Sequence, residues 1–114
     1  MELALAKVQG EFPDRIVRMI EMAVDGKDSD ATMCFVATGP NREEWRRYRK
    51  DIAAAKDDRE NIEAAAERLT LLMVRYPGRD EMIKTFDQRP GMIMNFVSEI
   101  QGIAGVNAEA RTKK

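Results

Sequence analysis

Apolar positions along the chain follow two rhythms, and the change between them falls near Gly39-Pro40. Beyond that point the spacing is helical to about residue 104; before it the spacing is mixed. Asn41 is a favoured N-cap, and Glu44 stands three residues on to complete a capping box, with Asn in place of Ser or Thr. Trp45, Tyr48, Ile52 and Ala55 then recur at steps of three and four, which makes one stripe of a first helix. Lys56-Asp57-Asp58-Arg59 breaks that stripe. Asp57 or Asp58 can cap a second helix, whose apolar walk runs through Ile62, Ala65, Ala66, Leu69, Leu72, Met73 and Tyr76 to a stop at Pro77-Gly78. Its opposite face carries Glu60, Glu63, Glu67 and Arg68, with Thr70 beside them. A short helix from Asp80 to Asp87 places Met82, Ile83 and Phe86 on one side. After Arg89-Pro90-Gly91, a last helix presents Met92, Ile93, Phe96, Val97, Ile100, Ile103 and Ala104, and Gly105 stops it.

The segment before Gly39 is less decided. In residues 15–24, positions 16, 17, 20 and 24 fit a helical face, while 16, 20, 22 and 24 fit one face of a strand with Arg18 as the exception. The polar cluster Asp25-Gly26-Lys27-Asp28-Ser29-Asp30 follows, and then the short run Ala31–Thr38, rich in β-branched and aromatic residues. Two short runs around a turn cluster favour a β-hairpin with a longer loop over a helix followed by a strand. The expected fold is mainly α within the α+β class. An N-terminal β-hairpin (about 15–38) leads into a compact bundle of about four helices, and the C-terminal tail is disordered. Residues 1–105 form one domain, with a hairpin region at 1–39 and a helical region at 41–105; residues 106–114, small and polar, form the flexible tail.

Composition narrows the core and the chemistry. Leu, Ile, Val and Phe number 24 of 114 residues and aromatics are 6%, so the core is thin and leans on eight Met. Met fills irregular gaps, and it also suits grooves that adapt to a partner segment. The absence of His excludes imidazole acid–base catalysis and imidazole metal sites, and a single Cys excludes an intrachain disulfide. Cys34, in an expected strand without a His beside it, reads as a small buried hydrophobe. A net charge of −1 supplies no global field toward nucleic acid or an anionic membrane.

No Gly-rich phosphate loop, nucleophile elbow or metal cluster is present in the sequence. The pairs Asp57-Asp58 and Asp28 with Asp30 read more simply as helix caps and turn residues than as metal ligands. No cofactor is expected, and no convergent catalytic set argues for an enzyme. The start of the chain, with Glu2 and a short apolar run, does not read as a secretion signal, and no stretch is long enough to span a membrane. A reducing cytoplasm is the expected setting. The one local basic patch is Arg46, Arg47, Arg49 and Lys50, which reads either as phosphate contacts beside Tyr48 or as a solvated helix face with Tyr48 turned inward.

The order of these segments resembles the small tail assembly chaperones of long-tailed bacteriophages over about residues 31–105. The resemblance rests on a strand entering Ala37-Thr38-Gly39-Pro40-Asn41-Arg42-Glu43-Glu44-Trp45, and on Leu69–Pro77 as a helix ending in a Tyr-Pro corner. It rests also on Glu81–Gly91 as a short helix closed by an Arg-Pro-Gly turn, and on the amphipathic helix that ends near Gly105. Residues before 30 match that pattern poorly. The resemblance implies a non-enzymatic protein of the host cell cytoplasm. It would bind the tape-measure protein and tail-tube subunits, keep the former soluble until the tube polymerises, and be absent from the finished particle. It also implies a longer product made by programmed frameshifting, for which Thr112-Lys113-Lys114 can encode a slippery A-rich stretch. Trp45, Tyr48, Met82, Met92, Met94 and Phe96 are then the candidate partner contacts, each of which can equally be core, the plainer role for Trp45 and Phe96. Self-association is compatible with the same surfaces. Other classes remain: a small structural or connector protein of the virion, or a nucleic-acid-binding regulator using Arg46, Arg47, Arg49 and Lys50.

Overall fold

The computed structural model describes residues 2–26 and 30–112. It is a mixed α+β fold of five helices and a three-stranded antiparallel sheet. The order is α1 (Glu2–Glu11), β1 (Val17–Ala23), β2 (Thr32–Thr38), α2 (Arg42–Ala55), α3 (Arg59–Met73), β3 (Val74–Tyr76), α4 (Arg79–Gln88) and α5 (Met92–Ile103). Asp28 and the Lys113-Lys114 end lie outside the described residues.

The hairpin expected from residues 15–38 is present. β1 pairs with β2 from Val17↔Thr38 to Ala23↔Thr32, so Ile20 sits opposite Phe35 and Met22 opposite Met33. That register puts Ile20, Met22, Met33, Phe35 and Ala37 on the face that meets the helices. β2 is the central strand, and its last four residues, Phe35 to Thr38, have no exposed surface. On one side Phe35 meets Phe96 edge-to-face at 4.6 Å between ring centres, and Phe96 in turn meets Phe86 at 5.8 Å. Met73, Met82 and Ile100 close this core.

Three features depart from the sequence expectation. First, residues 2–11 form a helix, which lays Val8, with Ala4, Leu5 and the following Phe12, over Val17 and Val36 on the opposite sheet face. Its hydrophobic pattern is too weak to announce it. Second, the helix expected to run to Tyr76 ends at Met73, and Val74–Tyr76 becomes a strand on the free edge of β2. Pro77 disfavours helical geometry at Tyr76, and the open edge of β2 supplies the hydrogen bonds that a further helical turn would have made. The Tyr76–Pro77 peptide is cis. The helical region is therefore not separate from the hairpin region, since a strand from the former completes the sheet of the latter. Third, the α3 stripe is rotated. Thr70, assigned to the polar face, is fully buried with its hydroxyl donating to the Ala66 carbonyl at 2.8 Å, whereas Leu72 and Tyr76 are half-exposed. At about 100° per residue, Leu72 lies about 90° from the centre of the Ala66–Leu69–Met73 line on one side, and Thr70 about 70° from it on the other. The Thr hydroxyl satisfies itself one turn back, so burying it costs little.

Helix ends agree with their caps. Asn41 and Glu44 form both bonds of the capping box, at 2.8 and 2.9 Å. Asp58, of the two candidates, caps α3. After α5, the Gly105 amide donates to the Gly102 carbonyl and the Val106 amide to the Gln101 carbonyl, the paired bonds of a Schellman stop. Gly105 takes a positive φ of 97° there. Residues 106–112 carry no helix or strand and are exposed.

Gly39 is the most closely packed of the glycines. A methyl group there would come within 2.7 Å of Ile103 Cγ2, at the junction of the strand end with the last turn of α5. We expect Gly39→Ala to cost about 1–3 kcal/mol in urea unfolding, and Ile103→Ala in the same chain to recover part of that loss. Equal and additive losses would refute the contact.

Candidate functional site

The two helices α2 and α3 form a hairpin whose outer side is a groove of about 720 Å³. Its floor is apolar and comes from Ala65, Leu69 and Leu72 of α3 and Tyr48 of α2. Its rims are charged: Arg46, Arg47 and Lys50 stand on α2 with Glu43 and Asp51, and Arg68 stands on α3. Arg68 Nη2 reaches across to Asp51 Oδ2 at 3.4 Å, so one link already spans the groove. Both partners are solvent-facing, which makes this pair a weak latch.

The sequence-level candidates divide by burial. Tyr48 is buried, stacks at 5.5 Å on half-buried Trp45, and its hydroxyl accepts from Gln101 Nε2 at 3.2 Å. Burial pushes the Tyr48 phenol above its ordinary range, against a smaller opposing pull from the Gln101 bond. Tyr48 is thus the tethered floor of the groove rather than a free aromatic. Arg46, Arg47 and Lys50 line the groove, while Arg49 is exposed outside its lining. Met82, Met92 and Phe96 are core residues with at most 7% exposure and present no contact surface in this conformation. Met94, at 47%, is the exposed one of this group. Cys34 is half-buried in β2 rather than enclosed.

Two groove residues escaped the sequence reading. Periodicity puts Leu72 on the core stripe and Arg68 on the opposite face; their shared groove follows from the rotation of α3. Among the described residues, no helix is long and apolar enough to cross a membrane.

The groove's α2 end is held by Glu44. Its Oε1 accepts from the Asn41 amide at 2.9 Å and from Arg15 Nη1 at 2.6 Å. Burial works against the carboxylate's charge, but the Asn41 amide and the Arg15 guanidinium outweigh it and hold the Glu44 pKa below its ordinary value.

A family model described as a domain of unknown function, DUF6848, matches residues 11–113. The chain belongs to that family. Among solved structures, the chain is similar to an uncharacterised protein from Bacillus stearothermophilus. The TM-score is 0.62 at 20% identity, over 96% of this chain and 97% of that one. This likeness extends to the fold. No curated protein matches the DUF6848 chain in sequence.

The Glu44 geometry sets a pH dependence. Because its folded pKa is lowered, the stabilisation is complete above the unfolded carboxylate value and disappears as pH falls through the folded one. Glu44→Gln is expected to cost about 1 kcal/mol at neutral pH, with the difference from the parent chain narrowing as pH falls below the ordinary carboxylate range. Thermal melts of both chains across that range check this; a gap that does not narrow in acid would contradict it.

Proposed function

We propose that this DUF6848 chain is a tail assembly chaperone that covers an apolar helical seam of a tape-measure protein until the tail tube polymerises. The observation that carries the reading is the α2–α3 groove: an apolar floor with half-exposed Leu72, between charged rims, on two well-capped helices. A long, coiled-coil-prone partner exposes just such a seam before assembly, and an amphipathic helix is what a groove of this kind accepts. Further support comes from the segment order behind the resemblance. The strand end at Gly39-Pro40 leads into a capped helix, the Tyr76-Pro77 corner separates β3 from α4, and the Arg89-Pro90-Gly91 turn precedes α5. Arg89 anchors that turn to the hairpin, donating to the Val24 carbonyl at 3.0 Å and to Asp25 at 2.8 Å.

The chaperone works without catalysis or cofactor. It binds by burying Leu72 and the walls beside it, and it releases its client when the client's seam finds its final neighbours. Tail-tube subunits are second partners in this reading, which places the protein in the host cytoplasm and outside the finished particle. Met94, on α5, is a candidate contact outside the groove.

The test is co-expression with the tape-measure protein encoded in the same genome. The parent chain should keep the client in the soluble fraction. Leu72→Asp, at a half-exposed position and with an unchanged circular dichroism spectrum as the check on folding, should lose most of that effect, because it places a charge where an apolar seam must dock. A client that is equally insoluble with and without the chain would overturn the proposal. So would stoichiometric presence of the chain in purified particles, which would favour a structural role.

A further inference from the structure

A second cavity, of about 250 Å³, lies between α1 and β3 and is remote from the α2–α3 groove in its lining residues. Arg75, half-buried, lines it. The Arg75 guanidinium carbon lies 4.1 Å from the centre of the Phe12 ring, and its Nε donates to Thr38 Oγ1 at 3.1 Å. Thr38 is fully buried, and its hydroxyl donates onward to the Met73 carbonyl at 3.4 Å. The guanidinium is therefore fixed by a ring on its face and a hydroxyl at one edge. A guanidinium carries five N–H donors, and Nε uses only one. Among the described residues, no acceptor satisfies Nη1 or Nη2 of Arg75, and the residue lines the cavity.

The charges around it nearly balance. Lys7 and Glu11 stand on the cavity wall, and Arg15 and Glu44 lie close enough to influence Arg75. Three cations, Lys7, Arg15 and Arg75, face two carboxylates, Glu11 and Glu44, which leaves one positive charge. Glu44 is already engaged by Arg15 and the Asn41 amide. Burial, and then the neighbouring Arg15, lower the pKa of Arg75 against smaller opposing pulls from Glu44 and Glu11, and an anion in the cavity would add to those pulls. Val8, Phe12 and Tyr76 add apolar wall.

We propose that this cavity binds one carboxylate on a short apolar stem, held by the two terminal nitrogens of Arg75 with the Lys7 ammonium as a second contact. The planar fork of an arginine matches a carboxylate two-to-two, and Phe12 with Thr38 orients that fork before any ligand arrives. A doubly charged phosphate exceeds the single available charge and meets Glu11. The carboxylate can come from an acidic side chain of a protein partner or from a chain end. This site is independent of the chaperone reading.

The test is a titration of the ¹⁵N-labelled full chain, followed at the Arg75 Nε–H and the amides of Lys7, Glu11 and Tyr76. The probes are N-acetyl-leucine for a chain-end carboxylate, N-acetyl-glutamate α-amide for a side-chain carboxylate, and inorganic phosphate. Saturable shifts with at least one carboxylate are expected, with phosphate weaker by about tenfold. The tighter of the two carboxylates identifies the source. Arg75→Lys should weaken binding by about tenfold, and Lys7→Gln, at an exposed helix position, by about threefold with the fold untouched. Shifts that stay linear to about 50 mM, phosphate binding as tightly as carboxylate, or a titration unchanged in Lys7→Gln would each overturn the proposal.

Discussion

Burial of β2 on both faces is the constraint on which the rest of the molecule depends. A strand in a three-stranded sheet ordinarily has one wet side. Here Phe35 and Ala37 face the helices while Val36 and Thr38 face the opposite way, and none of the four is exposed. Two covers are therefore required. The larger is the layer of α3, α4 and α5, joined through Phe96 to the strand. The smaller is α1, which contributes Val8 with Ala4 and Leu5, together with the Phe12 that follows it. Because Thr38 is polar, its side of the sheet also needs hydrogen-bond partners, and Met73 and Arg75 supply them from the α3–β3 junction. Satisfying one buried hydroxyl thereby fixes the place where helix becomes strand.

Both surface features follow from that junction. Ending α3 at Met73 turns Leu72 toward the α2 side and Arg75 toward α1, so the groove and the smaller cavity lie at opposite margins of one short transition. α2 is held in place by its capping box and by Arg15, which comes from the loop after α1. The same arginine that steadies the groove's end also raises the cost of the Arg75 charge.

The sequence made legible whatever is local. The hairpin joins two runs adjacent in sequence, and the Asn41–Glu44 box, the Asp58 cap, α4, α5 and the Gly105 stop are set by residues within one or a few helical turns. β3 was hidden because three residues carry no period, and their strand conformation depends on the edge of β2, distant in sequence. α1 was hidden because its apolar residues define no strong stripe. At the candidate site, Tyr48, Arg46, Arg47 and Lys50 were visible as a cluster on one helix. Leu72 was not, since a rotation of α3 by less than one residue separates core from rim. Met82, Met92 and Phe96 show the reverse difficulty: composition marks them as adaptable or aromatic, but only packing reveals that each is enclosed. Arg75 with Phe12 had no signal at all, because 63 positions of chain separate them.

The pairing of β3 has a consequence for how the chain assembles. The β1–β2 hairpin and the α2–α3 hairpin each close over a short span and can form from their own residues. Joining them is a different event: the Ala37↔Val74 and Val36↔Tyr76 contacts close a loop of nearly forty residues. Two bridges on a three-residue strand, with a local irregularity between Val36 and Ala37, hold that loop together with the bonds of Thr38 to Met73 and Arg75. β3 thus adds a backbone seam to the side-chain packing of Phe35 on Phe96, and the two locally organised halves close as one sheet-and-helix core.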